Sequence, residues 1–130
     1  MIVDTSVLLS VFFAEQHGAW ASSKLNEYGA ELKMSTVNLA ETLIILRDRV
    51  PAMASDLEAR ILGSSIRFIP PDVRQSRIAA QARLRYPLNL GDCFCYALAV
   101  VEDCPVLSLD KDFRTTDRRV VRPHESPVNS

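Results

Sequence analysis

Residues 91–110 read GDCFCYALAVVEDCPVLSLD, and the fold turns on this stretch. From Cys93 to Val101 no side chain is charged. A helix that is apolar all round is buried all round, so a helix is expected from about Gly91 to Asp103, at the centre of the molecule. Asp92 opens it. Pro105 to Asp110 then reads as a strand that ends on a carboxylate.

The N-terminus repeats that last pattern. MIVDTS, residues 1–6, is a short apolar strand followed at once by Asp4. Helical stretches are expected at about 5–17 and 19–28, broken by Gly29. A strand at 31–35 leads to a helix over 37–49, and Pro51 stands where a further helix through Gly63 would begin. Residues 66–69 read as a third strand, closed by Pro70 and Pro71. Asp72 suits the N-cap of a helix reaching Tyr86, where Pro87 ends it. After the strand at 105–110 come a short helix or turn, KDFRTTD, and a fifth strand, RVVRP. Strands alternating with helices give an α/β fold, an open parallel sheet covered on both faces.

Composition agrees with this. The chain has 130 residues, 48% hydrophobic and 24% charged, enough for one compact domain with a real core. We expect that domain over residues 1–123 and a polar tail, HESPVNS, over 124–130. A formal charge of -1 exerts no overall pull on polyanions or membranes. The longest apolar runs are too short to span a bilayer and no leader pattern precedes the first strand, so a soluble cytoplasmic protein is expected. Cys93, Cys95 and Cys104 suit packed thiols better than a disulfide framework. His17 and His124 do not stand at zinc-site spacing.

In an open parallel sheet, functional groups gather beyond the carboxyl ends of the strands. Asp4 and Asp110 stand there, and Asp92 joins them if its helix begins on that edge. Glu41 sits in a stripe with Val37, Ile44 and Ile45, a costly place for a charge without a partner. Each acid also has a bland reading. Asp92 suits an N-cap, Glu41 the far half of a capping box with Asn38, and Asp4 and Asp110 suit turns or caps. Collectively they mean more, because two unit charges ~4 Å apart repel by about 4 kcal/mol at an effective dielectric of ~20. Either they take up protons or a cation sits among them. An oxygen-only set selects a hard ion, Mg²⁺ or Mn²⁺, and such ions are commonly completed by substrate phosphate.

These blocks resemble the PIN domain, and within it the VapC-type toxins of bacterial type II toxin–antitoxin pairs. MIVDTS (1–6) is similar to that family's first strand and acid, STVNLAET (35–42) to its second block, LNLGDCFCYALA (88–99) to its third and VLSLDKDF (106–113) to its fourth. The resemblance spans nearly the whole chain. It implies a three-layer sandwich with a five-stranded parallel sheet in the order 3-2-1-4-5 and a Mg²⁺- or Mn²⁺-dependent ribonuclease site. The implied catalytic acids are Asp4, Glu41, Asp92 and Asp110, with Asp4, Asp92 and Asp110 holding metal and Glu41 giving a ligand or orienting water. Ser6 matches a hydroxyl position near the site, while Ser108 stands where many members carry threonine. DKDF offers Asp112 as a rival to Asp110. The implied partners are an RNA substrate, a VapB-like antitoxin whose basic residues reach the acidic site, and a second copy in a homodimer formed by the second and third helices, without a membrane.

Four acids repel RNA, so its grip has to lie elsewhere. Arginines outnumber lysines twelve to three, and Arg74, Arg77, Arg83 and Arg85 lie in an acid-free run, 73–87. Arg74, Gln81 and Arg85 share a stripe, which reads equally as an RNA contact, a solvated face or an antitoxin face. Arg114, Arg118 and Arg119 are further candidates. Two rival functions remain at this level: a PIN-like module that binds RNA or protein without cutting, and a receiver-type phosphoacceptor domain, which FIPPDV fits poorly.

Overall fold

A computed structural model describes residues 1–123, so His124 and the tail expected at 124–130 lie outside the described residues. Five strands form one sheet: β1 (Ile2–Val3), β2 (Lys33–Ser35), β3 (Arg67–Ile69), β4 (Val106–Leu107) and β5 (Val120–Val121). Every pairing is parallel and the order is β3-β2-β1-β4-β5, as the resemblance implied. Six helices accompany them: α1 (Thr5–Phe12), α2 (Gly18–Tyr28), α3 (Thr36–Arg49), α4 (Ala54–Leu62), α5 (Val73–Arg85) and α6 (Leu90–Glu102).

Alternation along the strands separates two cores. Ile2 pairs with Val106 and packs on one face of the sheet with Ala79, Ala82, Leu98 and Phe113. Val3 pairs with Leu107 and packs on the other with Val7, Leu8, Leu46, Leu57 and Ile61. Helices α5 and α6 therefore cover one face, and α1 to α4 the other. Each buried aliphatic side chain contributes about 1.5–3 kcal/mol, which makes these two layers the main stabilising term. The apolar helix behaves as its composition requires: Cys93 and Cys95 to Ala99 are buried, and Phe94 is half-buried.

Several boundaries differ from expectation. Helix α1 stops at Phe12, five residues early, because Ala14 takes a left-handed conformation (φ 49°) that ends the helical run. Pro51 does not open α4; it starts a turn, and α4 begins at Ala54 without a side-chain cap. Asp72 does cap α5, its Oδ1 accepting from the Gln75 N–H at 2.8 Å. That bond gives the acid after β3 the cap role its position suggested. Among the described residues no helix is long and apolar enough to cross a membrane.

Candidate metal centre

Asp4 leaves β1 and caps α1. Its Oδ2 accepts from Ser6 Oγ at 2.6 Å, from Ser108 Oγ at 2.9 Å and from the Ser6 N–H at 3.4 Å. The two hydroxyls also accept backbone protons from the β4 exit, Ser6 Oγ from Leu109 N at 3.0 Å and Ser108 Oγ from Asp110 N at 2.9 Å. One carboxylate oxygen of Asp4 is thus fixed, and the segment carrying Asp110 is tied to it. Burial pushes the Asp4 carboxyl up to about 6, against the Ser6 and Ser108 hydrogen bonds and with repulsion from Asp110 adding to it.

Asp92 does not cap its helix. Asn89 does, with Oδ1 accepting from the Asp92 N–H at 2.8 Å, so Asp92 is the third helical residue and its side chain is released for other use. Asp92 is 4% exposed, and its Oδ2 is buried without a hydrogen-bond partner. A buried unpaired carboxylate oxygen is expensive. Burial first, then repulsion from Asp4 and Asp110 and a proton shared with Asp110, push its carboxyl up to about 8.

Asp110 and Asp112 follow β4. Asp110 caps a short 3-10 turn over Lys111–Thr115, its Oδ1 accepting from the Asp112 N–H at 2.9 Å. Asp110 thus takes the cap role that its place after the strand suggested. Oxygens from Asp92, Asp110 and Asp112 all lie within 4.8 Å of one another. This trio differs from the expected set of Asp4, Asp92 and Asp110: Asp112 joins it, and Asp4 stands beside it, coupled by charge to Asp92 and Asp110.

Glu41 reaches the same region from α3. The expected Asn38–Glu41 capping box does not form, because Ser35 caps α3 through the Val37 N–H at 3.2 Å. Asn38 instead crosses to α6, its Nδ2 donating to the Gly91 carbonyl at 3.0 Å, while Thr5 and Thr42 hydroxyls donate to the Asn38 carbonyl at 3.1 and 2.8 Å. Glu41 packs so close to Gly91 that a Cβ there would lie 2.6 Å from its Oε2. Gly91 is a glycine because a carboxylate fills the space a side chain would take. Glu41 consequently sits against the turn that presents Asp92, outside the close trio. Asn38, Gly91 and the two serines as tethers are contributions that sequence reasoning did not single out; only the serines' hydroxyls near Asp4 carried a signal.

Among the described residues the donors are all oxygen, and His17 stands at the start of α2 rather than among them. The trio, the unpartnered Asp92 Oδ2 and the charge crowding fit a hard divalent cation, which would supply the missing partner. Protonation alone would leave that oxygen short of a bond.

The PIN domain family model matches residues 1–119. Ribonuclease VapC42 of Mycobacterium tuberculosis is 36% identical over 128 residues, covering 92% of this chain and 97% of the relative. Ribonuclease VapC of Mycolicibacterium smegmatis is 30% identical over 125 residues, covering 90% and 96%. Among solved structures, the sarcin-ricin loop cleaving toxin VapC20 of M. tuberculosis superposes with a TM-score of 0.81 at 20% identity, over 94% of this chain and 98% of that one. A toxin-antitoxin complex from Klebsiella pneumoniae gives 0.74 at 20%, over 96% and 98%. At these identities the structural likenesses establish the fold.

Proposed function

The chain belongs to the PIN domain family, and from that premise we propose that it is a divalent-metal-dependent endoribonuclease, the toxin of a type II toxin–antitoxin pair. One observation carries the site assignment: Asp92, whose Oδ2 is buried without a partner, brings a carboxylate oxygen within 4.8 Å of oxygens from Asp110 and Asp112. Asp92 and Asp110 are the direct ligands, with Asp4 beside them and Asp112 sharing the role of Asp110. Glu41 orients the attacking water from the α3 side.

A bound Mg²⁺ or Mn²⁺ lowers the pKa of water and neutralises charge on the scissile phosphate. The protein's own groups do the rest. Ser6 and Ser108 hold one Asp4 oxygen still and leave the other free of those two hydroxyls. The Asn38–Gly91 bond sets the distance between α3 and α6, and with it the spacing of Glu41 from Asp92. The near-neutral pKa of Asp92 keeps a proton in reserve until a cation displaces it.

The relatives are named ribonucleases, and solved structures of this fold include toxin-antitoxin complexes. That supports RNA as substrate and a VapB-like antitoxin as partner; the homodimer rests on the resemblance alone. The test is incubation of purified protein with mixed RNA and Mn²⁺ or Mg²⁺, with EDTA and Asp92→Asn as controls. Cleavage is expected only in the metal-loaded wild type; cleavage surviving both controls would sink the assignment. RNA retention without cleavage under any metal would favour the non-catalytic binding module instead.

A further inference from the structure

Helix α5 presents a charge distribution that the fold itself does not use. Gln75, Ala79 and Ala82 face inward, while Arg74, Arg77, Arg83 and Arg85 are exposed. Residues 73–91 contain no Asp or Glu. Among the described residues Arg74, Arg77 and Arg83 make no ion pair, and Arg85 makes only a ring contact with Tyr86, at 5.1 Å from its centroid. Like charges three residues apart on a helix repel, as Arg74 and Arg77 do. A helix selected only for solubility would interleave acids; this one is prepared for an anion.

The surface beside these arginines is shaped. A cleft of 390 Å³ separates α5 from α6, lined by Ala79, Ala80, Arg83, Leu90 and Phe94 among others. Its walls are apolar with a guanidinium at the lip, the combination on which an unstacked base rests. Leu90 and Phe94 lie two residues to either side of Asp92 on α6, so they face the opposite side of that helix and the cleft lies across α6 from the acidic trio. Leu90 is 72% exposed, so this wall is open to an incoming ligand.

We propose that the arginine face of α5 and the α5–α6 cleft form a seat for single-stranded RNA, across the first turns of α6 from the acids. The arginines follow the phosphates and one splayed base enters the cleft. This rests on the nuclease reading for its register, and it assigns the grip that an acidic site in a chain of net charge -1 cannot provide. Charge separates RNA from a protein partner here: an antitoxin segment basic enough to enter the acids is repelled by unpaired arginines. A duplex is disfavoured, because its bases are not free to enter a cleft.

The experiment is fluorescence anisotropy with a short labelled single-stranded RNA in EDTA, over a range of salt, so that binding is read without cleavage. The variants are Arg74→Gln/Arg77→Gln, Arg83→Gln and the triple, with Lys24→Gln/Arg47→Gln as a control that removes positive charge from other surfaces. We expect the triple variant to bind at least roughly tenfold more weakly at low salt, with melting midpoint unchanged. The magnitude of its slope of log affinity against log salt should fall by about 0.7 for each phosphate that an arginine no longer neutralises. The control should keep wild-type affinity and slope. Equal weakening by the control, unchanged binding by the triple variant, or loss of self-association with RNA affinity intact each overturns the proposal. Wild type that binds RNA through these arginines but never cuts it sinks the nuclease reading and leaves the seat standing. Cleavage by the triple variant with an unaltered KM does the reverse.

Discussion

Ser108 and Asp4 are bonded across adjacent strands, the serine Oγ donating to Oδ2 at 2.9 Å, and the same Oγ accepts the Asp110 N–H at 2.9 Å. One hydroxyl therefore fixes two acids from different ends of the chain. Ser108→Ala should weaken Mn²⁺ binding by about 10–100-fold, the usual effect of losing a group that orients a ligand. It should also cost about 1 kcal/mol of stability. Ser108→Thr keeps the hydroxyl and should restore both. Calorimetric titration of the three proteins decides it: an alanine variant with wild-type metal affinity would show that Asp4 needs no tether.

Gly91 and Glu41 make a second, purely steric coupling. A methyl at residue 91 would stand 2.6 to 3.0 Å from all three atoms of the Glu41 carboxylate group, and the flexible side chain would swing away. Gly91→Ala should leave stability near neutral, since alanine favours the helix by up to about 1 kcal/mol. Catalysis should fall by about 10²-fold, the scale of a 1 Å misplacement. Added to Glu41→Gln, the same change should cost almost nothing more, because both act on one carboxylate. Additive losses would mean that Gly91 acts through something other than Glu41.

Asp92 carries a conflict between function and stability. Asp92→Asn keeps the shape and removes the charge from a buried position whose Oδ2 has no partner. The metal-free variant should therefore melt higher than wild type, by about 4 °C per kcal/mol relieved, while metal-dependent cleavage disappears. Asp4→Asn should gain less, because hydroxyls already serve its Oδ2. A destabilised Asp92→Asn protein would show that the carboxylate is satisfied within the fold.

Why some of this could be read from sequence and some could not follows from the range of each interaction. The rim position of Asp4 and Asp110 was legible because each follows an apolar strand, and the depth of α6 because nothing from Cys93 to Val101 could face water. The strand order came from resemblance, since short strands of two or three residues carry little pairing information of their own. Asn89 and Asp92 both fit the chemistry of a cap, and only backbone geometry separates them. Asn-x-x-Glu matched a capping box locally, yet Asn38 turned to the Gly91 carbonyl and Ser35 took the cap. The Gly91–Glu41 contact joins residues fifty positions apart and leaves no local mark.

The acid cluster finally sets a pH dependence whose sign can be worked out. In the folded, metal-free protein the Asp4 carboxyl lies at about 6 and the Asp92 carboxyl at about 8, both raised chiefly by burial above the ordinary 3.8. Between those limits the folded state holds more protons than the unfolded one, so this contribution to stability falls as pH rises. The decline should begin near pH 4, be steepest below 6 where both groups act, and continue to about 8. Comparing wild type with Asp92→Asn in EDTA isolates the Asp92 share, and the gap between their melting midpoints should widen over that window. Saturating Mn²⁺ should reverse the trend, because binding displaces those protons and tightens as pH climbs toward 8. A gap that stays constant from pH 4 to 8 would mean that Asp92 ionises freely, and with that the electrostatic case for a cation among these carboxylates would be lost.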